Sequence, residues 1–255
     1  KPIGVPESTP EKPYYFPDDM ADKTIEWLHR IRAQDPTTPW FAYVATGCSH
    51  APHHVPREWS DKYKGKFDSG WDAMREETFA RHKELGGVPP EAELTAPGDA
   101  FESWDSIDET RKRLSARQME VYAGYSENCD WNIGRIIDAI EAMGELDNTL
   151  VLWIWGDNGA SMEGTLTGTL TELTTLNGIP LTVEQQMGLL FKHGGLEAWG
   201  SDALEPHYSS NWALASNTPF QWGKQVASHL GGTRNPFVVR YPKSIPDAGG
   251  LRSQF

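Results

Sequence analysis

The stretch "VLWIWGDNGA", Val151–Ala160, decides how this chain is read. Val151 to Trp155 is apolar throughout, as in a strand buried on both faces. One glycine later, a carboxylate (Asp157) and a carboxamide (Asn158) stand side by side, followed by Gly159. Asp-Asn-Gly is good turn chemistry. It is equally the chemistry of two oxygen donors offered to a hard cation at a strand end. Local sequence leaves both readings open.

The segments around it set the fold class. Upstream lies "SARQMEVYAGYSENCDWNIGRIIDAIEAMG", where Met119, Tyr122, Ile133, Ile136, Ile137 and Ile140 recur at helical spacing and Gly144 supplies a C-terminal stop. Earlier still, "PWFAYVAT" predicts a strand ending near Thr46, and "NPFVVRYP" predicts another downstream. Residues 1–18 are rich in proline and read as an extended loop. "DDMADKTIEWLHRIRAQD" then predicts a helix with Met20, Ile25, Trp27, Leu28 and Ile31 on its apolar face and Asp18-Asp19 at its cap. Strand, helix and strand in succession, with apolar strands, imply an α/β fold with a mostly parallel central sheet flanked by helices. Residues 60–113 and 160–218 read as loop or lid insertions, the second lying on the surface.

Ligands of open α/β sheets gather at the carboxyl ends of strands. His50 follows the Trp40–Thr46 segment in "GCSHAPHHVP", and Asp157-Asn158 follows the Val151 strand. His53 and His54 beside His50 raise the alternative of a zinc cluster. Trp153 and Trp155 read as core, whereas Trp212 and Trp222 are candidates to wall an aromatic pocket near Lys224. The net charge of −13 gives no basic surplus for nucleic acid. No apolar run approaches the roughly 20 residues of a membrane span. Two cysteines, Cys48 and Cys129, allow one disulfide at most and leave cytoplasm and periplasm both open.

Three ordered motifs, "WFAYVATGCSHAPHHVP", "WIWGDNGA" and "GKQVASHLGGTRNPFVVRYPK", resemble the sulfatase family of the alkaline-phosphatase-like superfamily, and within it bacterial arylsulfatases. The resemblance implies an α/β sandwich and hydrolysis of small sulfated substrates. It implies a role for His50 on the sulfate oxygens and leaving group, for Lys224 on the sulfate, and for Asp157 and Asn158 on a cation, Ca²⁺ ahead of Mg²⁺. His53, His54, His229 and Arg234 are candidate substrate contacts. Two departures accompany it. "SHLGG" stands where the family commonly has an aromatic and an acid before the glycines. No C/S-x-P/A-x-R motif, the source of the family's formylglycine nucleophile, surrounds either cysteine. The chain therefore reads as an internal part of one sulfatase catalytic domain, partnered by a missing N-terminal part. The alternatives are a phosphate or phosphonate ester hydrolase of the same superfamily, and a catalytically inactive binding module.

Overall fold

The computed structural model describes residues 7–9 and 13–252. Part of the loop expected over residues 1–18 lies outside the described residues, and Phe16 already belongs to a helix. Eight helices are labelled in chain order: α1 (Phe16–Gln34), α2 (Arg57–Ser60), α3 (Gly70–Glu84), α4 (Glu109–Ala142), α5 (Glu172–Leu176), α6 (Val183–Lys192), α7 (Ser210–Ser216) and α8 (Leu230–Thr233). Two strands, β1 (Val151–Ile154) and β2 (Phe237–Arg240), complete the order.

Helix α4 is the spine, 34 residues or about 50 Å long. Asp108 caps it by accepting from the Arg111 amide at 3.0 Å. Three apolar clusters line it. Leu114, Val121 and Tyr125 pack with Leu190, Trp199 and Leu204. Ala116 and Met119 pack with Trp71, Trp104, Tyr208 and Trp212. Ile136 and Ile140 pack with Ala21, Leu28 and Leu146. From Leu114 to Val121 every residue is buried, so two turns of α4 are covered on all faces. Arg117, buried there, donates to Ser60 Oγ at 3.0 Å and to Glu120 at 3.1 Å.

Residues 160–218, expected at the surface, instead supply Leu190, Trp199 and Trp212 to the core, each at most 1% exposed. The expectation failed at these positions because they pack on α4, Leu190 and Trp199 with Leu114 and Val121, and Trp212 with Ala116 and Met119. Trp212 is likewise no pocket wall. It donates its indole N–H to the Ser115 carbonyl at 2.8 Å and packs edge-on against Trp71. Asp18 and Asp19 lie within the first turn of α1 but make no side-chain cap bond. Asp18 instead accepts from Asn132 of α4 at 2.8 Å, fastening α1 to the spine.

The sheet departs from the parallel expectation. Among the described residues it consists of β1 and β2, paired antiparallel with Leu152 opposite Val239 and Trp153 opposite Val238. Trp40–Thr46 forms no strand. Its burial alternates residue by residue as a strand's would, but no neighbour completes a ladder, and Phe41 and Tyr43 stand 84% and 83% exposed. Leu152, Ile154, Phe237 and Val238 are exposed too, leaving an apolar face uncovered. Trp153 and Trp155 are half-buried and pack on each other edge-on.

His53 is buried at the heart of the fold, its ring 4.9 Å from Tyr208, 5.1 Å from Tyr122 and 5.2 Å from His207. Burial, with positive neighbours a lesser cause, pushes its pKa well below the usual imidazole value. The folded protein thus holds His53 neutral while the unfolded chain takes up a proton at about pH 6.5.

Two outcomes follow for stability. A Cβ at Gly124 would lie 2.6 Å from the Ser60 amide nitrogen and 2.7 Å from the Trp59 carbonyl carbon, both backbone. Gly124→Ala should therefore cost about 1–3 kcal/mol by chemical denaturation. Lowering the pH below 6.5 should remove stability from the wild type relative to His53→Phe, because both bury His207 but only the wild type buries the His53 imidazole as well, which its unfolded state protonates. Parallel urea titrations across that range check this; curves with a constant offset would refute it.

Candidate functional site

The site is assembled where the loop after β1 meets α8 and the loop before it. Gly159 donates its N–H to the Gly232 carbonyl at 3.0 Å, and a Cβ on Gly159 would fall 1.6 Å from the Gly231 oxygen. Only glycine permits that approach. Lys224 N–H bonds the Ala160 carbonyl at 3.0 Å, and Asn217 Oδ1 accepts from the Ala160 amide at 2.9 Å. The segment carrying Asp157 and Asn158 is thereby laid against the segment carrying Lys224.

His50 comes to the same place from the loop that follows residues 40–46. Its Nδ1 is 2.7 Å from the Ala51 carbonyl, which only accepts, so Nδ1 carries the proton. Nε2 then accepts from Lys224 Nζ at 3.3 Å. Two residues 174 positions apart in sequence, each expected to hold an anion, are in contact. Lys224 also donates to Glu163 Oε2 at 2.8 Å. Glu163 accepts in addition from Ser161 Oγ and Gln225 Nε2. The bond from Lys224, above all, lowers the Glu163 pKa and keeps it a carboxylate.

Behind this pair lie Glu172 and His207. With Glu163 they present ligand-type atoms within 4.8 Å of one another. His207 is 1% exposed, and burial lowers its pKa to about 4. Burial raises the pKa of Glu172. Sequence reading missed all three. Each sits in the 160–218 stretch, and no spacing among them announces a site; His207 in "EPHYSS" was the one visible signal.

The remaining expected residues divide. Asp157 is exposed, and Asn158 donates its amide to the Gly159 carbonyl at 2.9 Å, which leaves its side-chain oxygen available. His53 is enclosed behind the pocket, with Nδ1 lacking a partner. His54 is tied through Nε2 to the Leu204 carbonyl at 2.5 Å, and the three histidines do not gather as a zinc cluster. His229 is half-buried, bonded to Ser228 and packed near Trp222, which is itself 50% exposed. Arg234 stacks on the Phe220 ring at 5.3 Å.

The chain has relatives among known proteins. The chain is 34% identical over 239 residues to an uncharacterised sulfatase of Schizosaccharomyces pombe, covering 92% of this chain and 40% of that protein. It is 24% identical over 229 residues to an arylsulfatase of Klebsiella aerogenes, covering 90% of this chain and 45% of that protein. The chain thus spans less than half the length of either relative. No helix among the described residues is long and apolar enough to cross a membrane. The sulfatase family profile matches residues 4–255, and the chain belongs to the sulfatase family.

Proposed function

We propose that this chain forms part of the catalytic domain of an arylsulfatase-type enzyme that hydrolyses small sulfate esters. The observation that carries the reading is the contact of His50 Nε2 with Lys224 Nζ, beside the loop that bears Asp157 and Asn158. A sulfate ester is an anion, and attack on its sulfur requires that charge to be met. Lys224 supplies a fixed positive donor for the sulfate oxygens. His50 lies within reach of the same group and orients the leaving oxygen, or protonates it once its Nε2 has taken up a proton. Glu163 fixes the lysine when no anion is present.

Asp157 and Asn158 offer oxygen donors, the chemistry of a hard cation, and Ca²⁺ suits them better than zinc or copper. Two donors fall well short of the about six to eight that Ca²⁺ takes. The fit is that of half a site, the other half coming from a segment that also brings the formylglycine nucleophile. When bound, the cation would neutralise charge on the ester. The uncovered apolar face of β1, β2 and residues 40–46 is where strands of that segment would pack. Residues 160–218 supply Glu163 beside Lys224, and His229 and Arg234 are the candidate substrate contacts on the segment that follows Lys224.

Asn158, in place of an imidazole, favours sulfate over phosphate or phosphonate esters, whose hydrolases in this superfamily use transition metals. The uncovered apolar face equally favours a second reading, an inactive binding module that docks through it.

Assay of the whole reading frame that carries this chain separates these readings. Aryl sulfates should be hydrolysed faster than aryl phosphates. Lys224→Ala or Asp157→Ala should lower kcat/KM by about 10²–10³, the scale of one lost electrostatic donor. Faster phosphate cleavage, or no cleavage of either ester, would sink the proposal. The 255-residue chain by itself should show an unchanged melting temperature in millimolar Ca²⁺, and a large rise would show that it holds a complete cation site.

A further inference from the structure

His207 and Glu172 meet in a way that requires something between them. Nδ1 of His207 is 2.8 Å from the Tyr208 carbonyl, which only accepts, so Nδ1 carries the ring proton and Nε2 presents a bare lone pair. That lone pair faces Glu172 Oε1 at 3.6 Å. Oε1 is itself buried and has no hydrogen-bond partner. Two acceptors turned on each other out of water repel unless a proton or a metal ion joins them. The surroundings choose between these. Glu163 is committed to Lys224, and the Lys224 ammonium stands beside the cluster, where a dication would be repelled. One proton satisfies both atoms and adds no net charge beyond cancelling that of the carboxylate.

We propose that Glu172 carries a proton which it donates to His207 Nε2, and that this buried pair decides whether the His50–Lys224 pocket accepts an anion. The proposal rests on the sulfate reading of that pocket. The groups facing Glu172 are His50, Glu163, Lys224 and Glu205; those facing His207 are Glu163, His50, Lys224 and the buried ring of His53. With Glu172 neutral, the positive charge of Lys224 balances the negative charge of Glu163. With Glu172 ionised, a second carboxylate stands at the pocket and opposes a sulfate. Proton and anion therefore bind together. Glu172 and His207 are positioning residues: they touch each other, and act on the substrate through the charge of the pocket. Burial raises the Glu172 pKa and lowers that of His207, the directions that leave one shared proton on the carboxyl group.

Titration of the protein from the whole reading frame that carries this chain with inorganic sulfate by calorimetry tests the proposal. Affinity should fall by up to about tenfold per pH unit once Glu172 loses its proton. In that higher pH range the wild type should take up a proton on binding, seen as heats that differ between two buffers of different ionisation enthalpy. Glu172→Gln, whose amide can donate to Nε2 as the acid does, should bind sulfate without that pH dependence or uptake. In wild type labelled with ¹³C at the glutamate carboxyls, the carbonyl stretch of a protonated carboxyl should be present at neutral pH and absent in Glu172→Gln. Sulfate binding that is independent of pH in the wild type overturns the coupling alone. A protonated-acid band with no sulfate binding at any pH overturns the sulfate reading, and the coupling with it. Binding of Zn²⁺ or Mn²⁺ that His207→Ala abolishes would show that a metal, and not a proton, joins the pair.

Discussion

The structure hangs on the burial of α4 on every face between Leu114 and Val121. A helix so enclosed cannot leave its polar side chains to water, so their partners come from whatever packs against it. Gln118 shows the consequence. It is fully buried, donates to the Thr167 carbonyl at 2.8 Å and accepts from the Ser209 amide at 3.0 Å. These two loops flank the segments that hold Glu163, Glu172 and His207. A demand for hydrogen bonds inside the core thereby places a cluster of acids and imidazole that local propensity would leave to chance.

What was legible in the sequence was whatever local periodicity or a compact motif encodes. The apolar spacing of Met119, Ile136 and Ile140 marked α4, and "WGDNG" marked a strand end. The pairing direction of β1 and β2 was not legible, because both directions suit the same apolar run, and 81 residues lie between Trp155 and Phe237. Trp40–Thr46 carries a genuine strand pattern. Pattern specifies which side chains face inward, but a ladder also needs a neighbour, and the described residues give it none.

The candidate site divides along the same line. His50 and Lys224 were visible because each sits in a motif, and their contact follows from two loops that converge. Glu163, Glu172 and His207 were invisible because their significance is relational: a carboxylate beside a lysine, a lone pair beside a buried oxygen. Conversely, the histidine-rich "SHAPHH" looked like one cluster and is three environments. His50 is at the pocket, His53 lies in an aromatic enclosure and His54 is held on a backbone carbonyl. Neighbours in sequence alternate in direction along extended chain, so proximity along the chain says little about sharing a task.

The glycine contact between Gly159 and Gly231 bears on how such a pocket changes over generations. The two loops touch backbone to backbone, with no side chain between them to trim or enlarge. They form one mechanical part, and a substitution at either glycine displaces both the Asp157-Asn158 corner and the lysine loop at once. Diversification of what the pocket admits is thus channelled away from this seam and into the surrounding walls, where a residue can vary without carrying the charged groups with it.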